Sequence, residues 1–137
     1  IANAQVGTYY IKVVAYSTFS GVNLTGSFTE ASTGGAIGGS ASLTDISVAR
    51  QAWTYYTIDV PASMATLDFA MSGGTGDADM YIRRGSQPTT STYDCRPYKS
   101  GHNESCSFTN PTADTWHIGI YGYSAASGVS LDVTYNP

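Results

Sequence analysis

Gly73-Gly74-Thr75-Gly76-Asp77-Ala78-Asp79-Met80-Tyr81-Ile82-Arg83-Arg84 is the stretch on which the reading of the chain turns. Three glycines within four residues admit backbone angles that side chains resist, so the stretch opens as a tight turn. Beyond the turn the residues alternate. Ala78, Met80 and Ile82 fall on one side, and Asp77, Asp79, Tyr81 and Arg83 on the other. That pattern predicts a strand with one buried face, entered through a turn whose carboxylates can accept hydrogen bonds from loop amides.

The same period recurs on both sides of it. Trp53–Val60 is rich in tyrosine, threonine and β-branched residues, with Tyr56, Ile58 and Val60 inward and Pro61 as a stop. Leu67, Phe69 and Met71 alternate in the next segment, and Leu43–Val48 reads as a weaker first strand. Tyr93–Arg96 and Ser105–Thr109 flank a loop, and Thr115–Tyr121 with Val129–Tyr135 reads as a closing hairpin. No stretch holds a helical period over three turns. Short strands at such spacing predict an all-β fold, an antiparallel jelly-roll-like β-sandwich.

Composition narrows the setting. Only 12% of residues are charged, which leaves serine, threonine, glycine and tyrosine to cover the surface, as suits a β-protein outside the cell. A net charge of −4 with scattered cations argues against nucleic acid or an anionic membrane as partner, since counterion release needs a basic patch. No apolar run approaches the ~20 residues that span a bilayer.

A repeat organises the N-terminal part. Asn3–Phe28 aligns without gaps on Asn110–Tyr135 at an offset of 107 (110 − 3), with identities that include Thr8/Thr115, Ile11/Ile118, Tyr16/Tyr123, Gly21/Gly128 and Leu24/Leu131. A period of that size means tandem domains rather than a solenoid. Residues 1–29 then read as the terminal hairpin of a preceding copy, 30–42 as a Gly/Ser-rich linker, and 43–137 as one complete domain. A lone hairpin is marginal in water, so Thr8–Val14 and Val22–Phe28 are expected to dock on this domain or on a neighbouring chain, the latter as a dimer or domain swap through residues 8–28.

Cys95 and Cys106 are the only cysteines, set across a short loop that suits a disulfide. A structural zinc site wants four ligands, and only His102 and His117 are available to join them. A disulfide implies an oxidising compartment.

At this point the motifs become specific. Gly73–Ile82, Pro88-Thr89-Thr90-Ser91-Thr92-Tyr93-Asp94-Cys95-Arg96-Pro97-Tyr98, Asn103-Glu104-Ser105-Cys106 and Thr115-Trp116-His117-Ile118 with Gly122-Tyr123-Ser124 and Ser127–Leu131 together resemble bacterial pre-peptidase C-terminal (PPC) domains. The resemblance covers about Leu43 to Tyr135. It implies a β-sandwich at the C-terminal end of a secreted bacterial peptidase, whose catalytic domain lies upstream. Relatives in collagenases bind collagen, some bind calcium, and others are removed after secretion.

Three chemistries are open to such a chain. A hydrolase needs a nucleophile beside a base, or a metal with an open position, and the sequence has neither a GxSxG elbow nor HExxH. The chain itself is therefore expected not to be an enzyme and to need no cofactor. Asp77 and Asp79 project from one face as candidate calcium ligands, or else as caps of the glycine turn. Eleven tyrosines place Trp53, Tyr55, Tyr81, Tyr121 and Tyr123 as candidate binding residues for insoluble protein, against the plainer alternative that they cover a low-charge sheet. The expected function is a non-catalytic, secreted accessory domain that tethers its peptidase to insoluble, collagen-like or other, protein. The alternative is a secretion or folding domain removed by processing.

Overall fold

In the computed structural model the described residues are 37–137, together with Lys12, Val14 and Ser20. Ile1–Ala31 and Ser32–Pro137 are separate compact units. The hairpin expected in residues 1–29, and the dimer or swap expected through residues 8–28, fall outside the described residues.

The second unit is built of seven strands: β1 Gly39–Val48, β2 Trp53–Val60, β3 Thr66–Ser72, β4 Ala78–Arg84, β5 Glu104–Thr109, β6 Asp114–Gly122 and β7 Ala126–Asn136. They form two antiparallel sheets, β1-β7-β3-β5 and β2-β6-β4. The chain crosses between sheets at every one of its six connections. Tyr93–Arg96, read as a strand, is reduced to a single bridge in which Cys95 pairs with Ile82 of β4. It occupies the place of an eighth strand at the β4 edge. No helix occurs among the described residues.

Alternation sets the core. Leu67, Phe69 and Met71 of β3 meet Met80 and Ile82 of β4 and Ile118 and Ile120 of β6, all at most 1% exposed. Burying each such side chain contributes roughly 1.5–3 kcal/mol. Phe69, Phe108 and Trp116 close one end of the sandwich with rings 4.7–6.5 Å apart.

The glycine turn explains the motif that opened the reading. Gly74 and Gly76 hold φ of +78° and +91°. A Cβ on Gly74 would run into the Ser127 carbonyl, and one on Gly76 into that of Ala125. The β3–β4 turn therefore lies flat against the β6–β7 turn, bridged by Thr75 N–H to Ser127 O at 2.9 Å and Ser127 N–H to Thr75 O at 3.2 Å. Side chains at those positions would pry the two turns apart.

Three expectations need correction. Thr115–Tyr121 and Val129–Tyr135 are not a hairpin: β6 and β7 lie in opposite sheets, because a period of two says which side of a strand is buried but not which sheet it joins. The first strand starts at Gly39 rather than Leu43, so residues 39–42 of the expected linker pair with Asp132–Tyr135 of β7. Backbone pairing needs no apolar side chain, and Gly39 lies where a Cβ would overlap the Tyr135 ring. Finally, the Cys95–Cys106 disulfide is present but does not cross a hairpin. It joins the bridge segment beside β4 to β5, and so staples one sheet to the other along the β4/β5 side of the sandwich.

Candidate binding surface

The outward face of β2-β6-β4 carries most of the aromatic residues singled out by sequence. Register sets Trp53, Tyr121 and Asp79 in one row across the sheet, and Tyr55, Gly119 and Tyr81 in the next. Gly119 has no side chain to fill its place, and Trp53 and Pro88 close over it. A Cβ there would lie 2.8 Å from the Trp53 ring and 2.9 Å from Pro88. The Tyr55 hydroxyl donates to the Pro88 carbonyl at 3.2 Å, which draws the β4–β5 loop over the sheet.

These rings pack against one another instead of lying open. Trp53 and Tyr55 are parallel within 4° at 5.3 Å, and Trp53 also meets Tyr81 and Tyr121, each at 4.9 Å. Tyr93 closes on Tyr81 edge-on at 5.5 Å, and the Arg96 guanidinium lies 4.8 Å from the Tyr81 ring. Tyr81, expected on the open surface, is therefore 1% exposed. It points out of its sheet, as alternation requires, yet the loop covers it. Burial pushes its hydroxyl up to about 12. Trp53, Tyr55 and Tyr121 are half-buried members of the same cluster.

The acids of the glycine motif act inward. Asp77 Oδ1 accepts the Gly101 N–H at 3.1 Å, and Asp79, 6% exposed, holds the Arg96 guanidinium at 2.9 Å. A third acid, Glu104, had no assigned role in the sequence reading. It is 3% exposed and accepts the Met80 N–H at 2.6 Å with one oxygen and the Lys99 N–H at 3.2 Å with the other. Burial raises its pKa above the usual carboxylate range, against the pull of those two amides. A signal was legible: Glu104, Cys106 and Phe108 alternate along β5, which puts an acid on the inward side of a strand.

The two aspartates do not fit a calcium cage. Calcium wants six to eight oxygens, while Asp79 already faces a guanidinium whose charge opposes a cation. Among the described residues no three or more of His, Cys, Asp and Glu gather to share an ion. His102 Nδ1 lies 3.2 Å from the Gly76 carbonyl, and His117 sits on the outward face between Thr57 and Arg83.

What does lie open is beside the glycine turn. Tyr98 and Tyr123 are each 66% exposed, and they border a depression of about 260 Å³ lined also by Asp77, Asp79, Arg96, Lys99 and Ser100. Arg96 stacks under the Tyr98 ring at 3.7 Å, which fixes the orientation of an otherwise free loop residue. Tyr123 was named from sequence. Tyr98 was not, because it belongs to no strand period and reaches this place only through the loop that Glu104 and Asp77 anchor.

Comparison with known proteins agrees with this architecture. The family profile for the bacterial pre-peptidase C-terminal domain matches residues 54–122. The zinc metalloprotease of Helicobacter pylori is 41% identical over 119 residues, covering 87% of this chain and 46% of that protein. Alkaline serine exoprotease A of Vibrio alginolyticus is 46% identical over 81 residues, covering 59% of this chain and 15% of that protein. The solution structure of vEP C-ter 100 superposes with a TM-score of 0.57 at 44% identity, covering 66% of this chain and 88% of the other. This chain spans less than half the length of the curated relatives it matches. A family profile met over half the chain, on a two-sheet sandwich whose glycine turn and disulfide loop carry the expected motifs, makes this chain a member of the bacterial pre-peptidase C-terminal domain family.

Proposed function

We propose that this sandwich is a non-catalytic accessory domain of a secreted metallo- or serine peptidase, and that it holds the peptidase against insoluble protein. The observation that carries the reading is the pair of open rings, Tyr98 and Tyr123, on either side of a depression with Lys99 and Arg96 in its wall. Rings with a polar end tolerate water when free and release much area when covered. Two of them, one on a loop pinned by Glu104 and Asp77 and the other on a turn held by the Ser124 N–H to the Asp77 carbonyl, meet a protein surface with little ordering left to do. Tethering raises the local concentration of substrate at the cleaving domain and needs no chemistry of its own.

Co-sedimentation of the chain with collagen-like and other insoluble protein fibres tests this. The chain should enrich in the pellet, and the Tyr98→Ala/Tyr123→Ala pair should lose most of that enrichment, roughly tenfold, at unchanged thermal stability. Enrichment no greater than that of an unrelated β-sandwich rejects tethering.

A second reading, removal of the domain by processing, is favoured by the boundary between the two compact units, which falls at Ala31–Ser32 next to Gly34-Gly35. Exposed Gly/Ser segments are preferred sites of nicking. Cleavage confined to residues 30–38, with export unimpaired only when the domain is present, supports it. Unchanged export after deletion of the domain rejects it.

A further inference from the structure

The three-stranded sheet has two edges, and the described residues close one of them. On β4 every second amide turns away from β6, and the three from Met80 onward each have a partner. Met80 N–H donates to Glu104, Ile82 N–H to the Cys95 carbonyl at 2.9 Å, and Arg84 N–H to Asp94 Oδ2 at 2.8 Å. Two of the three acceptors are side-chain carboxylates, so a strand arriving at that edge meets negative charge in place of free amides.

β2 is the opposite edge and has no such cover among the described residues. Gly122 N–H donates to the Ala52 carbonyl, which fixes the phase of the β2–β6 ladder. By the alternation of antiparallel pairing, Thr54, Tyr56, Ile58 and Val60 bond to β6, and Trp53, Tyr55, Thr57 and Asp59 turn their amides and carbonyls outward. Those outward groups have no backbone partner among the described residues. β2 runs in unbroken register from Trp53↔Tyr121 to Val60↔Asp114, with no bulge, proline or lysine within it. The other sheet protects its edges differently. β1 carries two register shifts and a positive φ at Asp45, and the six-residue β5 is held by its disulfide.

We infer that β2 is a seam through which two copies of this chain pair, edge to edge, joining their three-stranded sheets into one. The register follows from the outward set. A two-fold axis through Tyr56 places Trp53 opposite Asp59 of the second copy and Tyr55 opposite Thr57 of the second copy. Each of these is an outward residue facing an outward residue, so every such pair exchanges both of its backbone bonds. On the outward face the pairings are aromatic with a short polar side chain. On the inward face Thr54 meets Ile58, and Tyr56 meets its own counterpart. No pair sets like charges against each other, although the chain carries a net charge of −4. A shift of the axis by half a residue sets inward-bonded groups against outward ones and loses the ladder, and a shift by a whole residue keeps the ladder but leaves one outward residue of each copy without a partner in β2. The strand thus offers a self-complementary match in backbone polarity, side-chain size and charge. The dimer would also carry two Tyr98/Tyr123 depressions on one particle.

Position 57 tests the seam, because its amide does not serve the domain's own sheet. Sedimentation equilibrium of the full chain should show a concentration-dependent dimer. Thr57→Pro should weaken it by more than about tenfold while leaving the melting temperature nearly unchanged, since proline is tolerated on the free side of an edge strand. Residues 57 of the two copies are diagonal neighbours on the outward face. Thr57→Lys and Thr57→Glu, each alone, should therefore dimerise less than the parent at low salt, and mixing the two should restore a dimer. A chain that stays monomeric at every concentration overturns the inference. So does a dimer indifferent to Thr57→Pro, which would point to exchange through residues 8–28. A monomer that captures a reduced, unfolded protein in a Thr57→Pro-sensitive way also overturns it, and would give the edge to an extended substrate strand. None of these outcomes bears on fibre tethering, which reads Tyr98 and Tyr123.

Discussion

Glu104 has the charge of a surface residue in the position of a core one. Its two oxygens take the outward amide of Met80 and the loop amide of Lys99, so one side chain closes a sheet edge and shapes the loop that carries Tyr98. Glu104→Ala leaves both amides without their acceptor and should cost about 2–3 kcal/mol, read as a shift in denaturant midpoint. The pH response has a definite sign. Burial raises the folded pKa, so the folded chain holds this proton more tightly than the unfolded one. Its contribution to stability therefore falls as pH climbs from the ordinary glutamate range through the raised value. The difference in unfolding free energy between the parent and Glu104→Gln should shrink over that window, and a constant difference would contradict the assignment. The tyrosines give a second reading at this scale. Tyr98 is drawn below the usual range by a hydrogen bond from Tyr93 and by the Arg96 charge, whereas burial holds Tyr81 up to about 12. In an alkaline absorbance titration Tyr98→Phe should remove an early component, and the Tyr81 hydroxyl should be among the last to ionise. From sequence, Tyr81 was assigned correctly to the outward side of its strand and wrongly to open solvent. Alternation reports the side of a sheet, and a loop arriving from ten or more residues away can cover either side.

Among the elements, the glycine turn was the most legible and β7 the least. Gly74 and Gly76 are required by the close approach of two turns, so Gly76→Ala, which combines a positive φ with a blocked Cβ, should destabilise by more than about 1 kcal/mol. If thermal melting of that variant matched the parent, the contact between turns would carry less than the geometry indicates. The pairing of Cys95 with Cys106 was expected, but its role was not. A short sequence separation pointed to a hairpin staple, and the sulfurs in fact tie opposite sheets together. Reduction should lower stability by about 3 kcal/mol and open the β4 edge, seen as faster amide exchange at Ile82 and Arg84. The β6–β7 segment was read as a hairpin for the same reason: nearness in the chain was taken for pairing in the sheet. β7 takes its place between β1 and β3, partners far along the sequence that its own residues do not signal.

For the whole molecule, the fold class was carried by strand periodicity and turn residues, whereas the family rests on the resemblance of the motifs and on the profile match over residues 54–122. The working surface was only half visible, because it is assembled from two loops, at Tyr98 and at Tyr123, that periodicity does not describe. Addition of calcium or of a chelator should leave the melting temperature unchanged, since Asp79 is committed to Arg96 and Asp77 to the Gly101 amide. A calcium-dependent rise of several degrees would contradict that commitment.

The sulfur bridge has one more consequence for a domain that would work beside a protein-cleaving enzyme. The ring it closes contains the Arg96–Ser105 segment, with exposed residues at Tyr98, Lys99 and Ser100. A cut there adds one water to the mass yet frees no fragment, because the severed ends stay joined through Cys95 and Cys106. Damage at this exposed loop would thus stay silent until a reductant separated the halves.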